Sequence, residues 1–315
     1  LGFRSEAGLH RSALSNRIGP YHNPESKRCD RTLNPLPAQA DSRYTGGEAM
    51  LTAPYDHPLN LATQSVMTYG SWVLTFALLA YALRKSMLER TPFYVYVVLA
   101  SMVAAFAEPL YDEGFMLLFY VPGIWSHFSA FGIPQPLWTH SGYAVLYALP
   151  AVFICAQIQQ GRLSRKGLYV WAAIELAMSA AFEMIGINGG AYTYWGPHVF
   201  RVFNYPLIIG VLETAQVVCF SVAAAQLRQR VDSALGLLGL FVLFPYTFYL
   251  ANFGAGSAVI IALHLDTPSP ILVLLGTIIS LIASLVLIRG AASFLPVAPG
   301  FATQRSRPMK AAVAQ

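Results

Sequence analysis

The chain has 315 residues, of which 56% are hydrophobic and only 11% charged, and its mean hydropathy is +0.51. Soluble domains carry about 25% charged residues, so this composition excludes a soluble globular protein and specifies an integral membrane protein. Three cysteines exclude a disulfide scaffold, and the net charge of +5 follows from where the basic residues fall along the chain.

Residues 1–49 are rich in Arg, Ser, Asn and Pro and contain no apolar run, which predicts a disordered tail. The segment lacks the apolar core of a secretory signal. Its acids, Glu6, Glu25, Asp30, Asp41 and Glu48, argue against a transit peptide. Met50 opens a more ordinary start, so the expectation is a dispensable or upstream-translated tail. A membrane domain over residues 50–293 and a C-terminal tail over 294–315 follow it.

A spanning helix needs about 20 apolar residues. Such runs occur near 66–84, 92–108, 141–159, 168–186, 205–227, 234–253 and 270–288. They predict an all-α polytopic bundle of about seven transmembrane helices. Residues 109–122 are expected to add a short or re-entrant helix, and 254–264 to lengthen the sixth. Cys155 and Cys219 sit inside apolar runs as small buried hydrophobes, whereas Cys29 stands alone in the polar tail. Arg84, Lys85 and Arg90 follow the first run, Arg162, Arg165 and Lys166 the third, and Arg228 and Arg230 the fifth. Arg289, Arg305, Arg307 and Lys310 follow the seventh. On the opposite side, after Met50, only Arg201 is basic. The positive-inside rule then predicts an N-terminus outside and a C-terminus in the cytoplasm. It also places the connections 109–140, 187–204 and 254–269 on one non-cytoplasmic side.

Polar chemistry gathers near that side. Glu183 ends the fourth run and Glu213 lies inside the fifth; a charged group at mid-bilayer costs roughly 2.5–3.5 kcal/mol on insertion scales. Between them lie Tyr192, Tyr194, Trp195, His198, Arg201 and Asn204. An interfacial aromatic belt is the alternative reading of the two tyrosines and the tryptophan, but it leaves Glu213 unexplained. Glu108 ends the second run at Pro109, which a helix tolerates in its first turn, so Glu108 can sit at a break between two helices. Asp112 is one turn further along that face; alternatively Asp112 and Glu113 are solvated loop acids. Glu175 is two turns before Glu183, with an interhelical hydrogen bond as its plain role. Gln216, Asn252, Tyr246 and Tyr249 are candidates for a polar wall, the two tyrosines also reading as packing. The histidines show no di-iron spacing, and no paired CxxC, phosphate-binding glycine loop or DDxxD run is present. The seventh run has no lysine for a retinal Schiff base. The remaining carboxyls, tyrosines, histidines and amides suit acid–base chemistry with no cofactor and no metal.

The segment FEMIGINGGAYTYWGP, followed by NYPLIIGVLE, resembles the spirocyclase AveC family, as do the earlier EPLYDEGF and FGIPQPLW segments. The glycine–tyrosine segment is also similar to that of membrane carotenoid hydratases. The first resemblance spans roughly residues 60–290 and implies a spiroketal cyclase or dehydratase chemistry in secondary metabolism. With the residue reading it gives a cofactor-independent enzyme acting on a lipophilic polyketide- or terpenoid-like substrate. The expected catalytic residues are Glu183, Glu213, Glu108 and Asp112. Tyr192, Tyr194, Trp195, His198, Asn204 and Asn252 are expected to bind substrate. Membrane lipid and a small lipophilic molecule are the expected partners, and nucleic acid is not. The alternatives are a carotenoid-type hydratase and a proton-coupled transporter or small-molecule-binding membrane protein. An internal repeat would favour a transporter, and none is evident between the two halves.

Overall fold

The computed structural model describes residues 53–298. The tail expected over 1–49, with Cys29, lies outside the described residues, as do 299–315. Among the described residues, seven helices are long and apolar enough to cross a membrane: α1 Leu61–Leu88, α2 Phe93–Phe115, α3 Thr139–Gln159, α4 Arg165–Asn188, α5 Leu207–Arg230, α6 Ala234–Ala255 and α7 Pro270–Ala292. Each covers one of the seven apolar runs, so the fold is an all-α membrane bundle. In lipid, helices pair their own backbone groups, which makes this the form such runs adopt. Asn60 caps α1 by accepting from the backbone of Ala62 and Thr63, and Ser164 caps α4 by accepting from Gly167. The most apolar 18-residue windows of α3 and α5 are 83% and 78% buried, against a third for α1, α4, α6 and α7. The bundle is therefore built around α3 and α5.

Three spans leave regular α geometry close to prolines. In α2 a 3-10 turn at Ala105–Ala107 precedes Glu108 and Pro109, so Glu108 does stand at a break. In α3 a π segment, Ala144–Ala148, ends just before Pro150. In α6 Pro245 is followed by a π segment at Tyr249–Ala255. A proline cannot donate to the ladder, and π turns are a frequent local answer that also re-aims side chains. Of the short or re-entrant helix expected over 109–122, a short helix is present at Glu108–Phe115, where it completes α2, while Leu117–Phe119 is a strand. Residues 254–264 do not simply extend α6 either. A separate short helix, Ser257–Leu263, follows Gly256 and packs on α7, where a Cβ at Gly276 would meet the Ala258 carbonyl oxygen at 2.6 Å.

One end of the bundle is closed by small antiparallel ribbons. Strand β1 (Leu117–Phe119) pairs with β4 (Tyr192–Tyr194), setting Leu117 opposite Tyr194 and Phe119 opposite Tyr192. A hairpin joins β2 (Ser126–Ala130) to β3 (Ile133–Pro136), and a tighter one joins β5 (Arg201–Val202) to β6 (Tyr205–Pro206). The start of α1 is tied to the same end, since Asn60 N–H donates to the Gly190 carbonyl (2.9 Å) and Thr63 Oγ1 to that of Gly189 (2.7 Å). The connections expected to share a face therefore do so. The opposite end carries the basic residues described after Met50 other than Arg201; there Arg165 Nε donates to the Leu295 carbonyl (2.8 Å).

Gly186, in the last turns of α4, shows how closely ribbon and bundle fit: a Cβ there would run into the Tyr192 ring. Overpacking of this kind costs about 1–3 kcal/mol, so Gly186→Val should lower the thermal unfolding midpoint in detergent. Gly70→Val, at a position where a Cβ meets nothing within 4 Å, should not. Equal midpoints for both variants would contradict this packing.

Candidate active site

Three glutamates from three helices meet beneath the ribbons, each received by hydroxyl groups. Glu108, at the break in α2, accepts from Tyr143 of α3 (2.7 Å). Glu183 of α4 accepts from Tyr194 of β4 (3.1 Å). Glu213 of α5 accepts through Oε1 from Tyr147 (3.1 Å) and through Oε2 from Ser179 and, at 3.5 Å, from Tyr205. Helical spacing sets this up: Tyr143 and Tyr147 are four apart on α3, as are Ser179 and Glu183 on α4, so each pair shares a face. Tyr111, one turn after Glu108, is buried beside Glu213 and Tyr194.

The three carboxyls line one small cavity, about 40 Å³ in volume. Leu117 and Phe119 of β1 and Trp138 close it towards the ribbons, and Gly142, Leu146 and Phe182 supply apolar wall from α3 and α4. Phe119 stands edge-on to both Trp138 and Tyr192. No lysine, arginine or histidine lines the cavity among the described residues. The carboxyls are thus met by neutral hydroxyls without a cation. Burial raises the pKa of Tyr192, Tyr194 and Tyr205 well above the ordinary tyrosine value, with the carboxyls of Glu183 and Glu213 adding to the effect. These phenols therefore stay protonated and donate.

Of the residues expected from sequence, Glu108, Glu183, Glu213, Tyr192 and Tyr194 come together here. Asp112 does not line the cavity. It is buried one turn beyond Glu108 and accepts from Gln135 Nε2 at 2.6 Å, so it is not a solvated loop acid either. Trp195 faces a different depression beside His264 and Asp266. Asn204 is exposed, with φ of 64° next to Phe203 at 47°, the positive-φ pair that a two-residue hairpin turn requires. Asn252 is buried in the π segment of α6, donating to the Phe248 carbonyl away from the cavity. Tyr246 and Tyr249 are exposed on the bundle surface and build no polar wall. Glu175 is buried, and neither of its oxygens finds a hydrogen-bond partner, so the interhelical bond expected of it does not form.

His198 serves the frame instead of the cavity. Its Nε2 bonds to the Phe115 carbonyl at 2.9 Å, holding the end of α2, while its ring lies edge-on to Tyr194. Arg201 pins the same loop, donating to the carbonyls of Tyr194 (2.8 Å), Gly196 (2.7 Å) and Asn204 (2.9 Å). Tyr143, Tyr147, Ser179, Tyr205 and Tyr111 are site residues that the sequence reading missed. The signal for two of them was present, a pair of tyrosines four apart in an apolar run. Ser179 likewise sits midway between Glu175 and Glu183 on the same helix face. No cluster of three or more metal-ligating side chains occurs among the described residues. No known protein family, curated protein or solved structure matches this chain.

Burial, helped by the nearby Arg201 charge, pushes the His198 pKa down to about 3. In the unfolded chain an ordinary histidine titrates near 6.5, so between about pH 6.5 and 3 the unfolded state binds a proton that the folded state refuses. Stability from this source is full above the unfolded pKa and is lost as pH falls through that window. The wild type should therefore lose roughly 1–3 kcal/mol more than His198→Gln between pH 7 and pH 4, read from denaturant unfolding in detergent. Parallel pH profiles would contradict a neutral buried His198.

Proposed function

We propose that the chain is a membrane-embedded acid–base catalyst of the spirocyclase type, converting a lipophilic ketone-diol to a cyclic ketal with loss of water. The observation that carries this reading is the meeting of Glu108, Glu183 and Glu213 around one narrow, aromatic cavity, held by hydroxyls and without a cation. The motif resemblance to the AveC family supports the substrate class, a polyketide- or terpenoid-like molecule that partitions into the bilayer.

The roles follow from the hydrogen bonds. An ionised carboxyl only accepts, and Glu213 is met only by donors, from Tyr147, Ser179 and Tyr205. It is the proton acceptor. Glu108 and Glu183 each receive one tyrosine through Oε2 and keep Oε1 for the substrate as proton donors. In the first step one of these acids protonates the ketone oxygen while a substrate hydroxyl attacks the carbonyl carbon and passes its proton to Glu213. The hemiketal hydroxyl is then protonated by the second acid and leaves as water. The other substrate hydroxyl closes on the resulting oxocarbenium carbon and gives its proton to one of the acids, and Glu213 returns the proton it took to the other, which resets the site. One water is lost, and no electrons are exchanged. Tyr192 and Tyr194 orient the oxygens, and Phe119, Trp138 and Phe182 exclude bulk water. The similarity of the glycine–tyrosine segment to that of membrane carotenoid hydratases favours such a hydratase as second reading, with the same acids adding water to a double bond.

The basic residues at the far end support a cytoplasmic position for that end, with the cavity towards the outer face and the N-terminus outside. Reporter fusions at Arg165 and Arg230 should score cytoplasmic, and one at Gly196 external. A cytoplasmic Gly196 fusion would reverse the sidedness.

Gln keeps the size of a protonated carboxyl but cannot transfer its proton. Glu183→Gln and Glu213→Gln should therefore each lower turnover of a ketone-diol in membranes by about 10²–10⁴-fold, the worth of a placed acid or base. Both should remain monodisperse in detergent, and Glu175→Gln should be milder. Conversion of a polyene but not of the ketone-diol would favour the hydratase. A pH-driven flux without chemical conversion would favour a transporter, and full turnover by both variants would rule out the site as placed.

A further inference from the structure

A separate depression, away from the carboxyl cavity, runs along the bundle surface between α5, α6 and α7 and has a volume of about 1050 Å³. On α5 it extends from Cys219 to Arg230. At 1.5 Å per residue those eleven steps measure about 16 Å, close to half of the roughly 30 Å hydrocarbon thickness of a bilayer. The groove therefore has the depth of one leaflet. Its walls are aliphatic and aromatic along that depth, including Val222, Leu243, Leu250 and Leu287. Gly239 and Gly290 line it near the end that carries the basic residues, and a Cβ at Gly290 would meet nothing within 4 Å.

The groove's charged group lies where a lipid headgroup would lie. Arg230, in the last turn of α5, donates through Nη1 to the backbone and side-chain oxygens of Gln226 (3.0 and 2.8 Å). Its Nε and Nη2 make no hydrogen bond among the described residues. The neighbouring Arg228 is directed instead to Asp232, at 4.0 Å. No acidic side chain lines the groove. An apolar channel one leaflet deep, ending in a guanidinium that Gln226 orients, matches a diacyl chain pair with a negative headgroup.

We infer that the groove between α5, α6 and α7 binds one anionic phospholipid of the leaflet at the basic end, with its acyl chains along the helices and its phosphate on Arg230. This site is independent of the chemistry in the carboxyl cavity. The test is native mass spectrometry of the full chain, delipidated in detergent and given equimolar dipalmitoyl phosphatidylglycerol and dipalmitoyl phosphatidylcholine. The wild type should retain one phosphatidylglycerol with about fivefold preference, the size expected of one arginine at an anionic surface. Arg230→Gln should bring the preference close to one, Arg230→Lys should keep most of it, and Gly290→Phe should reduce retention of both lipids. Arg162→Gln, at a basic connection away from the groove, should behave as wild type. Equal retention of the two lipids by the wild type, or an Arg230→Gln variant that keeps the preference, would overturn the site. So would a dimer that Gly290→Phe dissociates, since a second copy would then fill the groove.

Discussion

A carboxyl inside a membrane bundle is costly to leave unmet, and Glu213, unlike Glu175, is met through three separate segments. Tyr147 comes from α3, Ser179 from α4 and Tyr205 from the strand just before α5. The central helix is thereby tied to two neighbours and to the ribbon layer by one side chain. Leaving a buried polar group unmatched costs about 1–3 kcal/mol, and here loss of the carboxyl would strand several hydroxyls at once. Position and chemistry are consequently inseparable at this residue: the bonds that make Glu213 tolerable are also those that aim it at the cavity.

The rest of the site is arranged around that anchor. The break at Ala105–Ala107 turns Glu108 inward, the π segment of α3 lies between Tyr143 and the proline at 150, and β1 and β4 close the cavity from above. His198 and Arg201 hold backbone carbonyls, so the loop that delivers Tyr192 and Tyr194 is fixed by its own hydrogen bonds. Tyr192 in turn fills the space that Gly186 leaves open on α4. Rigid support of this kind is what keeps reacting groups within the small positional tolerance that proton transfer demands.

Much of the fold was legible in the sequence because hydropathy reports the strongest constraint on it. A bilayer permits only closed backbone pairing, so seven apolar runs had to become seven helices, and Pro109 marked the break at Glu108. The three cavity glutamates were legible for the same reason, as ionisable groups in or at the ends of apolar runs. Their partners were less so. A tyrosine such as Tyr143 or Tyr147 in an apolar helix has the same pattern whether it packs or donates, and only the fold shows which carboxyl it faces. Trp195 and Asn204 misled because proximity in sequence was read as proximity in space. Asn204 owes its presence to the turn, and Trp195 faces another surface. The sheet pairing of 117–119 with 192–194 was hidden in stretches too short to show a strand period.

The central claim is that Glu183 and Glu213 act as one unit on a single substrate. Groups that share one reaction step are strongly non-additive when removed together. The most direct measurement is the turnover of a ketone-diol by Glu183→Gln/Glu213→Gln in membranes, compared with both single variants at equal amounts of folded protein. The account predicts a double variant within about tenfold of the slower single one. Losses that multiply, as they would for two residues working apart, would contradict a shared site.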